Sequence, residues 1–168
     1  MLIRDVTTAD FDRLLVINEA NVPEVGPLNA ERLAFLVDES AIALVVDGGD
    51  ELVGFCIVLA PGSTYGSVNY RWFMDRYDDA LYLDRVAFDA SAQGRGLGQA
   101  LYAEVNRRMI ADFGEFPVLT LEVNVDPPNE PSLRFHQRQG FTEVGRQTYG
   151  EGIEVSLMAR PVARSGPE

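Results

Sequence analysis

Residues 81–98 read LYLDRVAFDASAQGRGLG. This stretch opens with a β-rich run and ends in a glycine-rich loop, and the residues that follow, LGQALYAEVNRRM (97–109), have the composition of a helix. A strand, a glycine loop and a helix N-terminus together present unpaired backbone N–H groups with the positive end of the helix dipole behind them. The sequence therefore predicts an anion-binding loop. Glycine permits close approach and positive φ angles there, and Arg95 adds charge-assisted hydrogen bonds to phosphate.

Two familiar nucleotide-binding loops fit this segment poorly. A P-loop requires lysine and a hydroxyl residue after its glycines, and neither follows here, which excludes it. A dinucleotide fingerprint requires G-x-G-x-x-G directly after the first strand and an acidic residue about 20 residues on. The loop here reads G-x-G-x-G, lies in the middle of the chain and is separated from its strand by DASAQ (89–93), although Glu122 is placed tolerably. Dinucleotide binding is therefore the weaker alternative.

The same segment resembles the central motif of the GNAT superfamily of acyl-CoA N-acyltransferases, in which a strand precedes Q/R-x-x-G-x-G/A at the start of a helix. A second segment, NEPSLRFHQRQGF (129–141), resembles that superfamily's Asn-x-x-Ala/Ser-x-x-Phe-Tyr-x-x-x-Gly-Phe pattern, with His136 where tyrosine is usual. The matching positions are Gln93, Gly96, Gly98, Asn129, Ser132, Phe135, Gly140 and Phe141. The resemblance covers nearly the whole chain and implies an N-acetyltransferase that uses acetyl-CoA as co-substrate.

The resemblance also implies a coenzyme site. The backbone of the glycine loop would wrap the pyrophosphate of coenzyme A, and the pantetheine arm would pair like an added strand with the end of the preceding strand, where an N–H would stabilise the oxyanion. The coenzyme-binding residues implied in this way are Val86, Ala87, Phe88, Gln93, Gly94, Arg95, Gly96, Leu97, Gly98, Gln99, Asn129, Ser132 and His136. Asn129 is also the expected N-cap of the helix that follows DPP, and the two roles are compatible.

Direct acyl transfer to an amine makes two proton demands, because the ammonium must lose a proton and the departing thiolate should gain one. In the strand VLTLEVNV (118–125), Glu122 lies on a polar face. On the preceding strand, Tyr82 and Asp84 share a face and Arg85 is expected to point the other way. Glu122 and Asp84 are the candidate bases, acting directly or through water. In the alternative, either carboxylate pairs with an arginine such as Arg85 and only supports the fold.

His136 occupies the position at which the resemblance implies a general acid for the thiolate. An imidazole, with an ordinary pKa of about 6.5, can donate a proton there or hydrogen-bond the sulfur without being essential. The structural alternative is a half-exposed helix residue that packs beside Leu133. Histidine in place of tyrosine also leaves open a non-catalytic module that binds acyl-CoA or CoA as a sensor.

Two segments are the candidate acceptor side, because the resemblance implies that the acceptor enters past them: NEANVPEVGPL (18–28) and GSTYGSVNYRWFMDRYDD (62–79). The long connection 61–80 is either a functional loop or a short packed helix over YRWFMDRY. The candidate acceptor-binding residues are Glu24, Tyr70, Trp72 and Tyr82. An aromatic and acidic lining suits a cationic amine, whether an amino acid, polyamine, aminoglycoside or protein N-terminus. A hydrophobic contact within a homodimer is the other explanation of these aromatics.

The composition and charge of the chain indicate which partners, location and metal content to expect. The formal charge of -12 over 168 residues disfavours nucleic acid and anionic membranes as partners. No apolar run approaches the roughly 20 residues that span a bilayer and the N-terminus does not resemble a signal peptide, so a soluble cytoplasmic protein is expected. The single cysteine, Cys56, predicts a buried thiol and no intrachain disulfide. No cluster of metal-ligand spacing occurs, so no metal is predicted.

The elements combine into one predicted GNAT-like domain over residues 1–160, followed by a tail at 161–168 that is predicted to be disordered. The predicted fold class is α/β, in the order βααβββαβαββ, with a mixed, mostly antiparallel sheet and helices on both faces. Local signals support the boundaries: Thr7 and Asn29 are expected to cap the first two helices, and Gly140 to end the last.

Overall fold

The computed structural model describes residues 1–162 and shows a mixed α/β fold with one seven-stranded sheet. The strands are β1 (Leu2–Asp5), β2 (Ser40–Asp47), β3 (Leu52–Leu59), β4 (Ala80–Phe88), β5 (Val118–Asp126), β6 (Thr142–Tyr149) and β7 (Ile153–Pro161). The helices are α1 (Phe11–Ala20), α2 (Ala30–Glu39), α3 (Val68–Met74), α4 (Leu97–Asp112) and α5 (Glu130–Arg138). The predicted fold class is confirmed, and so is every predicted element; α3 is the one helix missing from the predicted order.

The sheet order is β1-β2-β3-β4-β5-β7-β6. The β4–β5 pair is parallel, while β1–β2, β2–β3, β5–β7 and β6–β7 are antiparallel. The chain divides into two compact units, Met1–Ser63 with Leu83–Val105, and Thr64–Tyr82 with the chain from Asn106. β4 and α4 each contribute residues to both units. The assignment of residues 1–160 to a single domain stays a prediction.

The first unit is built on the predicted β2–β3 hairpin, in which every residue of β3 is buried. Cys56 lies in β3 with no exposed surface, and burial raises the pKa of its thiol to about 12. A thiol held in its neutral form behaves as a small apolar core residue, as predicted.

Local capping sets the helix starts of this unit. The Thr7 N–H donates to the Asp10 carboxylate at 2.8 Å, where a 3₁₀ turn (Thr8–Asp10) leads into α1. The Asn29 side chain accepts from the Arg32 N–H at 2.8 Å and begins α2. Both predicted caps are confirmed, because each depends only on residues within one turn of the helix start.

The second unit contains α3 in segment 61–80, for which the sequence allows either a functional loop or a short packed helix. The Ser67 side chain accepts from the Tyr70 N–H at 3.3 Å and caps this helix. Tyr70 and Phe73 are buried in the core of the unit. Of the aromatic residues in segment 61–80, Tyr70 and Phe73 are therefore core residues of a short packed helix.

The same unit ends in the predicted β6–β7 hairpin. Gly140, with a φ of 89°, follows α5 in the left-handed conformation that the sequence predicted. β7 runs to Pro161, and the Val162 N–H donates to the Pro117 carbonyl at 2.7 Å. Pro161 and Val162 belong to the segment 161–168 that was predicted to be a disordered tail. Residues 163–168 lie outside the described part of the chain.

Candidate functional site

The glycine loop, residues 93–99, has the backbone that an anion cradle requires. Gly94 and Gly96 adopt positive φ angles of 71° and 68°, and a Cβ at either position would meet no atom within 4 Å. Glycine is therefore needed for the backbone conformation, and the space above the loop is open. Leu97 and Ala92 are buried, whereas residues 93–96 between them are exposed, so the loop is anchored at its ends and presents its backbone outward.

The loop leads directly into α4, whose first intrahelical donor is the Ala100 N–H, to the Gly96 carbonyl at 3.2 Å. The N–H groups of residues 97–99 precede it and have no intrahelical acceptor. Together with the positive end of the helix dipole and the exposed Arg95 side chain, they form a site that favours an anion such as a diphosphate.

Asp89 holds the base of this loop, a role that the sequence analysis missed. Its carboxylate accepts from the Ser91 N–H at 2.9 Å and so caps a 3₁₀ turn, Ala90–Ala92. The Arg13 guanidinium donates to the same carboxylate at 2.9 Å. The hydrogen bonds from Ser91, followed by that from Arg13, lower the pKa of Asp89. The Asp-x-Ser spacing is a local signal that could have identified this turn.

The end of β4 precedes the loop. The Phe88 ring lies directly on Gly54 of β3, where a Cβ would collide with it, and Ala87 is buried while Val86 is half-buried. The Asn21 side chain donates to the Phe88 carbonyl at 3.0 Å. These contacts fix the backbone of the segment predicted to bind the pantetheine arm.

Asp84 and Arg85 form a buried ion pair, contrary to the expectation that Arg85 points away. The Arg85 Nε lies 2.7 Å from the Asp84 Oδ2, and the two side chains are 6% and 4% exposed. Arg85 Nη1 also donates to Asn18 Oδ1 at 3.0 Å and to the Gly26 carbonyl at 2.9 Å. The alternation of side chains along a strand predicts that Asp84 and Arg85 lie on opposite faces. The long Arg85 side chain nevertheless turns back to Asp84 and joins β4 to segment 18–28.

Glu122 lies in a hydrogen-bonded cluster on the second unit, here called the Glu122 cluster: Glu122, Tyr82, Asn69 and Gln147. The Tyr82 hydroxyl donates to the Glu122 carboxylate, 2.8 Å from Oε1 and 2.7 Å from Oε2. Asn69 Nδ2 donates to Oε1 at 3.4 Å, and Gln147 Nε2 donates to Asn69 Oδ1 at 2.8 Å. Tyr82, a predicted acceptor-binding residue, is fully buried and contacts this carboxylate. Asn69 and Gln147 carried no sequence signal.

At the start of α5, the Asn129 side chain accepts from the Ser132 N–H at 3.4 Å, which confirms the predicted cap. His136 lies one turn further on and is only 3% exposed, so the half-exposed alternative is wrong. Its Nδ1 lies 2.7 Å from the Ser132 carbonyl oxygen, which only accepts, so the ring proton resides on Nδ1. Burial lowers the pKa of His136 to about 4, against the raising effect of the Ser132 carbonyl, and the Arg160 charge lowers it further.

The remaining predicted acceptor residues differ in exposure. Tyr70 is 3% exposed and its ring packs edge-on against Tyr82, with centroids 5.5 Å apart. Trp72 is half-buried, with the Arg76 guanidinium 4.0 Å from its ring centroid. Glu24 is exposed in the loop between α1 and α2. Of these residues, Tyr70 belongs to the packing around the Glu122 cluster.

Residues 1–162 lack two kinds of feature. No helix in this range is both long and apolar enough to cross a membrane. The same range contains no group of three or more His, Cys, Asp or Glu side chains arranged to hold a metal ion.

Comparison with known proteins decides the family. The sequence profile of the Acetyltransferase (GNAT) family matches residues 11–141, a range that contains the glycine loop, Glu122 and His136. The chain belongs to the GNAT family of acetyltransferases. No curated protein matches this GNAT chain in sequence. The antiparallel β1–β3 half of its sheet also disfavours the dinucleotide-binding alternative, which requires a parallel sheet.

Solved structures share the fold over nearly the full length of this GNAT protein. Ard1 from Thermoplasma volcanium superimposes with a TM-score of 0.78 at 18% identity, covering 97% of this chain and 98% of that one. The ribosomal-protein-S18-alanine N-acetyltransferase from Escherichia coli gives 0.71 at 19% identity, covering 98% and 96%. The putative acetyltransferase yncA from Salmonella typhimurium, solved with its cofactor acetyl-CoA, gives 0.70 at 16% identity, covering 100% and 97%.

Proposed function

We propose that this protein transfers an acetyl group from acetyl-CoA directly to a primary amine of a small molecule or peptide. The observation that carries the proposal is the glycine loop: left-handed Gly94 and Gly96 open an exposed backbone at the start of α4, in a chain of the GNAT family. The solved relative that holds acetyl-CoA supports the choice of coenzyme.

The loop fits a diphosphate because it offers backbone donors, a helix N-terminus and one guanidinium without a side chain in the way. In the proposal, residues 93–99 bind the pyrophosphate, the backbone of residues 86–88 binds the pantetheine arm, and Asn129 and Ser132 contact its other side. Acetyl-CoA supplies an activated acyl group as a thioester. The chain supplies orientation and a base that removes a proton from the acceptor ammonium, and the departing thiolate takes up its proton from water.

Glu122 is the proposed base. Its carboxylate accepts hydrogen bonds from Tyr82 and Asn69, so it is held in one orientation and is suited to take a proton from an ammonium, directly or through water. Asp84, the other candidate, is engaged by the Arg85 guanidinium. We therefore assign Asp84 to anchoring the 18–28 loop, with catalysis by Asp84 as the alternative that the experiments below test.

His136 enters the proposal as a neutral imidazole and not as an acid toward the departing sulfur. A pKa of about 4 leaves the ring uncharged at neutral pH, and the Nδ1 proton is directed at the Ser132 carbonyl. An acid role toward the thiolate would require the charged ring, which burial opposes. This observation also favours the second candidate function, a module that binds acyl-CoA or CoA without turnover.

An amine panel with acetyl-CoA, read by mass spectrometry and by release of free thiol, tests the function. Acetylation of any amine excludes the sensor function, whereas CoA binding without acetylation of any amine favours it. Glu122→Gln is expected to lower turnover by about 100-fold or more. The loss should be greatest at low pH, where the amine is protonated, and should shrink as the free amine becomes abundant. Asp84→Asn under the same conditions separates the two carboxylates, and an unchanged pH–rate profile for Glu122→Gln would contradict its role as base.

A glycine pair tests the coenzyme site independently of turnover. Gly96→Ala is expected to weaken acetyl-CoA binding in calorimetry about fivefold or more, because a Cβ at a φ of 68° strains the cradle backbone by about 1 kcal/mol or more. Gly150→Ala, at a φ of 57° in the β6–β7 turn, imposes the same strain elsewhere and is expected to leave the affinity unchanged. Equal affinities for both variants would contradict the site, and so would the absence of binding heat with the unaltered protein.

A further inference from the structure

The amide chain beside Glu122 has a fixed direction. Gln147 Nε2 donates to Asn69 Oδ1 at 2.8 Å, so the carbonyl side of the Asn69 amide is turned toward Gln147. The NH₂ side of the same amide must then face the opposite way, and it lies 3.4 Å from Glu122 Oε1. A flipped Asn69 would place its carbonyl oxygen against the carboxylate and its NH₂ against the Gln147 donor, losing both bonds.

Packing between α3 and β6 holds this chain in place. Asn69 is 3% exposed and lies on α3, and Gln147 lies on β6. Between the same two elements, the Trp72 ring covers Gly145, where an added Cβ would lie 2.6 Å from the ring. The helix and the strand can therefore approach closely because Gly145 has no side chain. This approach brings the Asn69 and Gln147 amides within hydrogen-bond distance.

The two side-chain amides can orient the Glu122 carboxylate but cannot transfer a proton. Carboxamides neither gain nor lose a proton near neutral pH, so no proton passes from Glu122 through Asn69 to Gln147. On the other side, the buried Tyr82 hydroxyl shares its hydrogen between both carboxylate oxygens. Donors on two sides fix the plane of the Glu122 carboxylate, which a base needs in order to meet a proton at a defined position.

We propose that Asn69 and Gln147 are positioning residues for Glu122, with Gln147 setting the orientation of the Asn69 amide that in turn holds the carboxylate. The proposal rests on the proposed function, since it takes Glu122 as the base. It predicts that the two amides affect the rate and pH dependence of proton removal and leave coenzyme binding unchanged.

Asn69→Asp is the decisive variant, because it keeps the shape of the side chain and replaces the NH₂ that faces Glu122 with a carboxylate oxygen. A like charge at this distance should raise the pH at which Glu122 takes up its proton by about one unit. Two measurements follow this shift: the acidic limb of the kcat profile, and a carboxyl ¹³C titration in which the Glu122 signal is identified by its absence in Glu122→Gln. Asn29→Asp is the matched control. It adds the same charge at an exposed N-cap where aspartate caps equally well, so neither measurement should move.

A second pair of variants tests Gln147 without adding charge. Gln147→Met keeps the length of the side chain but removes the donor, and is expected to lower kcat several-fold with little change in the KM for the amine. In the double variant Asn69→Ala Gln147→Met, kcat should be no lower than in Asn69→Ala alone, because both residues act through one link. Additive losses would overturn the chain from Gln147 to Asn69.

The outcomes separate this proposal from the proposed function. A folded Asn69→Asp variant whose Glu122 titrates as in the unaltered protein would overturn the positioning role, even if the enzyme is active. An unaltered protein that acetylates no amine, but whose Glu122 titration shifts in Asn69→Asp, would refute the proposed function and leave the contact established. Thermal unfolding of each variant verifies that it is folded.

Discussion

His136 shows at the residue scale how burial selects one charge state. Its ring lies between the edges of Phe135 and Phe141, with centroids 5.2 and 5.5 Å away. This apolar surrounding cannot solvate an imidazolium, and the nearby Arg160 guanidinium repels one. The Nδ1 contact with Ser132 satisfies the neutral ring, so the residue is stable in the core only while it is uncharged.

This charge state predicts acid destabilisation. The folded pKa of about 4 lies below the unfolded value of about 6.5, so the unfolded chain binds more protons between these two values. The free energy of unfolding should therefore fall as the pH drops from 6.5 to 4, by up to about 3 kcal/mol from this residue. His136→Phe should remove that part of the loss, measured by urea unfolding at pH 7, 5 and 4. His136 is the single histidine of the chain, so no other histidine contributes to this interval.

Asp10→Asn is the control for that experiment. The hydrogen bond from the Arg4 side chain is the main cause that lowers the pKa of Asp10 to about 2. The contribution of Asp10 to the free energy of unfolding is therefore lost only below about pH 4. Asp10→Asn should therefore keep the full loss of stability between pH 6.5 and 4. An identical slope in His136→Phe and the unaltered protein would show that the ring does not titrate as described.

Among the helices, strands and loops, the features that depend on neighbouring residues are the ones that the sequence predicts. Caps at Thr7, Asn29 and Asn129 and the left-handed Gly140 depend on residues within one turn, and each was predicted and confirmed. The glycine loop was predicted for the same reason, since its positive φ angles require glycine locally. These features are encoded by neighbours along the chain.

The Glu122 cluster is encoded differently. The Gln147–Asn69 hydrogen bond joins residues 78 positions apart, and neither side chain belongs to a recognisable motif. The position of α3 in the 61–80 segment was likewise left open, because its apolar residues suit either a loop with exposed aromatics or a packed helix. Contacts of this kind become visible only when the strands and helices that carry the residues are in place.

The contact between α3 and β6 predicts a specific effect of Gly145→Ala. The new Cβ would lie 2.6 Å from the Trp72 ring, so the ring or the strand must shift, at a cost of about 1–3 kcal/mol. Trp72 is the single tryptophan, so the tryptophan emission comes from this ring alone. We expect an altered emission maximum and a lower melting temperature. In Gly66→Ala, where the new Cβ would lie 4.0 Å from the Arg71 side chain, both should be unchanged. An unshifted emission in Gly145→Ala would contradict the packing of Trp72 on β6.

The whole molecule carries a formal charge of -12, and this charge bears on the choice of acceptor. A field of this sign attracts cations from beyond contact distance and raises their association rate, and salt weakens the attraction as the Debye length shortens from about 30 Å at 0.01 M to about 3 Å at 1 M. A neutral molecule experiences no such attraction. If the acceptor is a cationic amine, the chain as a whole contributes to its capture.

The corresponding prediction concerns salt. With acetyl-CoA saturating, kcat/KM for a polyamine acceptor should fall several-fold between low and high ionic strength, while kcat changes little, because the charge affects encounter and not the proton transfers at Glu122. The control is an aromatic amine that is neutral at the assay pH, for which kcat/KM should be nearly constant. Equal salt dependence for the two acceptors would show that salt acts on the fold or on coenzyme binding, and that the net charge does not favour a cationic acceptor.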